Sequence, residues 1–186
     1  MEVLLIATIL GWIRGGKVAN LFKADIKGVP LFFTSLLLTV LLYNAISPTS
    51  HLIPILYLSS FLLILAGIHL NQDLPGQKLM LIGVSINLLV IALNDFKMPV
   101  TEKLLLWTTE AEFLASSQAL THSIMEPGTR LKLLSDVIII PPGFFGSGIY
   151  SLGDLILYLG IIYAISTKMS EKTKETGSIN KRVSPL

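Results

Sequence analysis

The sequence predicts an all-α fold: a polytopic transmembrane helical bundle of about five membrane segments with one outer interfacial helix. Three observations carry that prediction. Four nearly uncharged apolar runs (Val29 to Ile46, Ile53 to Leu70, Leu79 to Leu93, Leu152 to Ile165) approach bilayer length, and a shorter run, Val3 to Ile13, precedes them. Crossing the hydrocarbon core takes about 20 apolar helical residues, with tilt and thinning allowing fewer. Charged residues make up only 14% of the chain and its mean hydropathy is +0.72; soluble domains carry about 25% charge. Finally, Lys and Arg collect in alternate connections, which sets an orientation.

Each element has its own signal. The first run lacks the positive flank and cleavage site of a secretory signal, Glu2 standing where a cation belongs, so it is read as part of the mature protein. Its eleven residues give only about 17 Å of helix, so it either spans a thinned membrane or lies tilted in the outer interface. Arg14, Lys17, Lys23 and Lys27 follow it; Lys78 lies between the third and fourth runs; Lys168, Lys172, Lys174, Lys181 and Arg182 fill the C-terminal tail. Five crossings put all of these in the cytoplasm, with the N-terminus outside. Pro30 and Pro54 fall in the first turns of their helices, where a missing N–H is tolerated. Ser47-Pro48 and Leu74-Pro75-Gly76 punctuate the short connections.

The expected organisation is one transmembrane domain over 1–167, with an outer excursion over 94–149 and a disordered cytoplasmic tail over 168–186. Within the excursion, Thr101 as N-cap and Glu102 predict a helix to about Ile124, ended by Glu126-Pro127-Gly128. It has two apolar stripes, one with Leu106, Phe113, Leu120 and Ile124, the other with Leu104, Trp107, Ala111, Leu114 and Ala115, which predicts a sandwiched helix. A short helix from Thr129 to about Asp136 and an extended Ile138–Pro142 follow.

Composition narrows the function classes. With 186 residues and a net charge of +2, there is room for one bundle and no basis for nucleic-acid binding. The absence of cysteine removes disulfides, thiolate metal sites and cysteine nucleophiles. Neither GxSxG nor HExxH nor a Gly-rich nucleotide loop occurs, and no motif identifies a cofactor.

The candidate site residues are few. Asp154 opens the last run, and ionisable residues in membrane segments are functional candidates; it also completes Ser151-Leu-Gly-Asp154, a capping box. Asp95, His122, Asp136 and Asp154 should lie near the outer face, where together they would bind a cation or supply an acid/base pair, and separately would be caps and solvated charges. His122 falls on a small-residue face with Ala111, Ala115 and Gln118, which suits packing. Asn87, in the middle of the fourth run, would line a path or bond a neighbouring helix. His69, Asn71, Gln72 and Asp73 suit a helix C-cap or, alternatively, a proton site. Gly11 and Gly15 form a lone GxxxG, and Arg14 and Lys17 are placed to touch lipid phosphate.

Four elements carry a resemblance: Trp12-Ile-Arg-Gly-Gly-Lys17 with Asn20-Leu21, Met98-Pro99-Val100 after Asn94, Thr129-Arg130-Leu131 before Asp136, and Tyr150-Ser-Leu-Gly-Asp154. Together the chain resembles an uncharacterised family of small bacterial polytopic membrane proteins, a domain-of-unknown-function family. It departs from that pattern at Lys17, where the family has Arg, and at Asp95-Phe96-Lys97, where the family tends to Gly. The resemblance implies the bacterial inner membrane and brings no activity, substrate or cofactor. The expected role is a non-enzymatic subunit or accessory factor in the lipid bilayer, as a homo-oligomer or beside a membrane-protein partner. The alternatives are a small oligomeric transporter or ion/lipid-binding protein with an acidic outer site, and a lipid-acting hydrolase or transferase using Asp136 and Asp154.

Overall fold

The structure, a computed structural model, describes residues 2–45, 50–106, 108–109, 112–113 and 116–171. Five α-helices dominate it: α1 (Glu2–Ile13), α2 (Val29–Ala45), α3 (Leu52–Leu70), α4 (Gln77–Leu93) and α5 (Leu152–Ser170). Each coincides with a predicted apolar run to within a few residues. The fold is mostly helical rather than all-α, because two small two-stranded sheets are also present. Among the described residues, only α3 and α5, at 19 residues each, are long and apolar enough to cross a bilayer by length and composition; α1, α2 and α4 are apolar but shorter. Helix α5 runs on through Ser170, so Lys168 to Ser170, expected in the tail, are helical. Residues 172–186 of that tail lie outside the described residues.

The helices pack in the order α2, α3, α4, α5, α1. Glycines set the closest approach. A Cβ on Gly83 would sit 2.5 Å from the Gly153 carbonyl oxygen and 2.6 Å from the Leu157 nitrogen, and one on Gly160 would sit 2.9 Å from the Gly76 carbonyl oxygen. Gly76 and Gly83 on one side therefore meet Gly160 and Gly153 on the other, and α4 runs antiparallel to α5 with backbones in contact. Helix α1 runs parallel to α5: the Lys17 N–H donates to the Met169 carbonyl (2.9 Å), and Asn20 Nδ2 donates to the same oxygen (2.8 Å). The glycines that matter there are Gly11 and Gly16, both against Met169; nothing lies within 4 Å of a Cβ on Gly15, so the GxxxG spacing is not the contact.

These directions bring the α1–α2 and α3–α4 connections and the C-terminal end of α5 together at one end. Lys27 N–H donates to Asn71 Oδ1 (2.9 Å), and Asn71 Nδ2 returns bonds to the Lys27 and Gly67 carbonyls. Asn71 thus caps α3 and ties its end to the start of α2, which favours the capping reading of that cluster. Asp25, Asp73 and Lys168 line the same small pocket.

The interior is mixed: apolar side chains such as Leu42, Val84, Val90, Ile91 and Met169 are buried, and polar ones are buried beside them. Ser35, Ser60, Asn71, Gln77, Asn87, Ser151 and Ser166 are buried between helices, and Ser35 Oγ donates to the Ser60 carbonyl across α2 and α3 (2.9 Å). Many large apolar side chains also point outward, among them Phe33 (73% exposed), Leu36 (60%), Ile55 (60%), Leu62 (56%) and Leu159 (59%). Soluble monomers rarely expose apolar surface on this scale.

The excursion differs from expectation. No continuous helix from 101 to 124 forms among the described residues: 3-10 turns occupy Glu102–Leu106 and Ser117–Leu120, and His122–Ile124 is a strand. Trp107, Glu110, Ala111, Leu114 and Ala115 of the predicted helix lie outside the described residues. Leu106 and Phe113, which one continuous helix would hold on a single face, part in the structure. Breaking it buries Phe113 and Thr121, leaves Leu106 outward, and frees His122–Ile124 to pair. The predicted helix from Thr129 to Asp136 is reduced to a 3-10 turn at Lys132–Leu134. Strand β1 (Met98–Val100) pairs in parallel with β2 (His122–Ile124), and Val100 also bridges Asp136 on its other edge. Pro99 fits in β1 because on the Asp136 side it supplies a carbonyl, which accepts from the Asp136 N–H (3.0 Å). The expected extended stretch appears as β3 (Ile138–Ile140), antiparallel to β4 (Gly148–Tyr150).

Candidate functional site

Two polar assemblies form where the excursion meets the helices. The first joins α4 to α5. Ser151 Oγ accepts from the Asp154 N–H (2.9 Å) and donates to Asn87 Oδ1 (2.8 Å); Asn87 Nδ2 donates to Asp154 Oδ1 (2.7 Å); Asp154 Oδ2 accepts from the Ser151 N–H (3.0 Å). The capping box read from the sequence is therefore present, and Asn87 closes it into a ring across two helices. Gly153 makes this possible, since a Cβ there would overlap the Asn87 amide. Each of the four bonds holds helix to helix or cap to helix, so the ring works as a clamp.

The second assembly centres on His122 and Asp136. β1 holds them at its two edges, and His122 Nε2 lies 3.6 Å from Asp136 Oδ2. The corresponding expectation put His122 on a helix face; it stands instead on β2, because the backbone there pairs with Met98–Val100. His122 Nδ1 is bonded to Thr121 Oγ1 (2.9 Å), which is bonded in turn to the Tyr43 hydroxyl of α2 (2.7 Å). This second partner orients the imidazole toward Asp136. Asp136 is only 5% exposed. Burial, and secondarily the Asp154 charge, push its carboxyl up to about 7, because a low-dielectric surrounding and a like charge both disfavour ionisation.

The pair opens onto a cleft of about 330 Å³ whose other walls are mostly apolar, including Val100, Leu104, Ile139 and Ile149. That volume is at the small end of the ~300–1,000 Å³ range of ligand sites. A buried acid beside an imidazole in such a cleft can accept hydrogen bonds from a guest or exchange a proton with it.

The remaining sequence candidates fall elsewhere. Asp95 sits in a left-handed turn with Phe96 (φ 51° and 60°) and lines a separate polar groove with Lys97, Glu126 and Arg130. That turn is held by Asn94, which exchanges bonds with the Arg130 backbone (2.8 and 3.0 Å). Arg14 and Lys17 are at the opposite end of the molecule, where Arg14 Nη1 donates to Ser166 Oγ (3.2 Å). Among the described residues, no group of three His, Asp or Glu side chains is arranged to hold a metal ion.

Residues 23–166 match the family model of DUF5317, described as a family of unknown function. The chain belongs to DUF5317. Both polar assemblies of the DUF5317 chain lie within the matched residues, and the Arg14–Lys17 element lies before them. An uncharacterized protein of Thermotoga maritima is 28% identical over 161 residues, covering 87% of this chain and 86% of its own length. No solved structure matches the DUF5317 chain.

Sequence reasoning missed Tyr43 and Thr121, whose hydroxyls orient His122, and the glycine contact beneath the Asn87 clamp. The glycines left a signal: Gly76 and Gly83 repeat the seven-residue spacing of Gly153 and Gly160. Two turns of helix separate the members of each pair, so both lie on one face. The hydroxyls left none, because Tyr43 and Thr121 are 78 residues apart.

Proposed function

We propose that this DUF5317 chain is an integral protein of the bacterial cytoplasmic membrane with five membrane segments, its N-terminus outside and its C-terminus in the cytoplasm. It acts there as a non-enzymatic subunit or accessory factor of a membrane assembly. The observation that carries this reading is the outward display of Phe33, Leu36, Ile55, Leu62 and Leu159 on three different apolar helices. Side chains of this kind are stable facing lipid and costly facing water. The three shorter helices fit a crossing where the bilayer is locally thinned. The gathering of Lys17, Lys27 and Lys168 at one end agrees with a cytoplasmic face there.

The accessory role draws support from how the intramembrane polar groups are used. Asn87, Ser151 and Asp154 spend their hydrogen bonds on one another, and the glycine faces of α4 and α5 leave no path between them. A ligand-binding role is the second reading, favoured by the His122–Asp136 cleft. In a hydrolase reading Asp136 would act without Asp154, whose oxygens both accept from neighbours.

Because the chain has no cysteine, single cysteines report topology cleanly. In whole spheroplasts, an impermeant maleimide should label Leu133→Cys and leave Lys78→Cys unlabelled until the membrane is opened. The reverse pattern contradicts the orientation. Gentle extraction followed by mass spectrometry should recover a stoichiometric protein partner; a chain that purifies alone at full yield contradicts the accessory role.

A further inference from the structure

The β3–β4 hairpin sits where α1 falls short. Gly11 and Gly16 lie against Met169, so the parallel helices α1 and α5 end together. Helix α1 has 12 residues and α5 has 19. At about 1.5 Å of rise per residue, α1 therefore begins roughly 10 Å short of the other end of α5. Glu2, the first residue of α1, accordingly borders a groove with Tyr158 of α5, and Ile138, Phe145 and Tyr150 of the hairpin close that groove against Leu4. The Tyr150 ring meets Tyr158 edge-on, with centroids 5.9 Å apart. The hairpin thus lies beside the first turns of α5, over the step that α1 leaves. Its tip, residues 141–147, turns two adjacent rings outward, Phe144 at 67% exposure and Phe145 at 64%. Residues 137–153 contain no Asp, Glu, Lys, Arg or His.

We infer that this hairpin is a lipid-docking element: its Phe144–Phe145 tip seats at the boundary between headgroups and acyl chains of the outer leaflet, and there completes the crossing that α1 leaves short. Composition favours lipid over a protein partner. A protein interface surrounds its aromatic core with a polar rim, whereas the polar side chains near these rings are Ser147, Tyr150 and Ser151, and the last two already bond within the chain. Position agrees, because the groove behind Phe145 is walled by Leu4 (53% exposed) of α1 and Leu155 (38%) of α5, on helices that face lipid in the membrane reading. Backbone supply agrees as well, since a segment entering lipid must meet its own hydrogen-bonding groups. Pro141 and Pro142 have no N–H; the Phe144 N–H donates to the Pro141 carbonyl (3.3 Å), the Ser147 N–H to the Phe144 carbonyl (3.1 Å), and the Tyr150 hydroxyl to the Gly146 carbonyl (2.9 Å). Aromatic rings are enriched at this depth of a bilayer. The inference rests on the membrane reading, since the leaflet is the partner.

The test labels Phe144→Cys and Phe145→Cys singly with bimane, each variant keeping the other ring, in phosphatidylcholine nanodiscs. Leu133→Cys, on the exposed 3-10 turn, is the water-facing control and Leu159→Cys, on α5, the lipid-facing one. Lipid brominated high on the acyl chain, at carbons 6 and 7, should quench positions 144 and 145 at least twofold more than lipid brominated at carbons 11 and 12. Iodide in the buffer should quench them at least threefold less than position 133. Iodide quenching at 144 and 145 equal to that at 133 would overturn the inference by placing the tip in water. Protection from iodide without quenching by either brominated lipid would overturn it too, by placing the tip against protein, a second copy included. Iodide access at 159 as well defeats the membrane reading and this inference together; bromolipid quenching at 159 with iodide access at 144 and 145 defeats this inference alone.

Discussion

Gly83→Ala tests the helix contact beneath the Asn87–Ser151–Asp154 clamp. The added Cβ would lie 2.5 Å from the Gly153 oxygen, about 0.9 Å inside the 3.4 Å at which ordinary contact begins. The obstructing atoms are backbone, so no rotamer change relieves the clash and α4 must move away from α5. A shift of that size stretches the Asn87–Asp154 bond from 2.7 Å past the reach of a hydrogen bond. Overpacking costs about 1–3 kcal/mol, and an interhelical polar bond in a membrane averages about 0.6 kcal/mol, with values up to ~1.7. A destabilisation of about 2–3 kcal/mol follows, equivalent to a fall in Tm of roughly 5–10 °C for a chain of this size. Thermal aggregation of the detergent-solubilised protein, followed by size-exclusion chromatography, measures it. Gly128→Ala is the control, because nothing lies within 4 Å of a Cβ there. A Gly83→Ala protein melting within 1 °C of the parent, or no more than the control, would refute the close-packing argument.

Three further outcomes follow from the same geometry. Asn87→Leu leaves Ser151 Oγ and Asp154 Oδ1 without their cross-helix partner and should cost about 2 kcal/mol, read as a lowered melting temperature; an unchanged Tm removes the clamp. The folded chain keeps the Asp136 proton up to about pH 7, whereas the carboxyl's ordinary value is 3.8. The folded state therefore binds more protons between those limits, and stability should fall as pH rises from 4 to 7 and level off above, a loss on the order of 4 kcal/mol at most. Asp136→Asn should flatten that slope in melting curves taken across the range. Thr121→Val breaks the link from Tyr43 to His122, and should lower Tm by the equivalent of about 1 kcal/mol and shift the His122 ring resonances in an NMR spectrum.

The helices were legible because an apolar run bounded by Pro, Gly and charge has few alternatives: α3 begins one residue before its predicted start, and α2 begins on it. The capping box was legible because its two members are three residues apart and act on local backbone. The segment after Thr101 was not. Its wheel offered two competing faces, and the decision between helix and strand fell to a partner, Met98–Val100, more than twenty residues upstream of His122. The placement of His122 beside Asp136 shares that cause, since both are positioned by the edges of one three-residue strand. Charge and spacing nominated four outer groups; the strand pairing separates the His122–Asp136 pair from Asp95, and the close contact of α4 with α5 gives Asp154 to the Asn87 clamp.

Lipid contact of the outward side chains is the claim on which the rest depends. Nitroxide labels placed singly at Phe33, Ile55, Leu62 and Leu159 in reconstituted protein report it through power-saturation spectroscopy with oxygen and a water-soluble nickel chelate. Ready collision with oxygen and exclusion of nickel at all four positions is the expected result; nickel access at these positions would mean that the helices face water and would contradict the account.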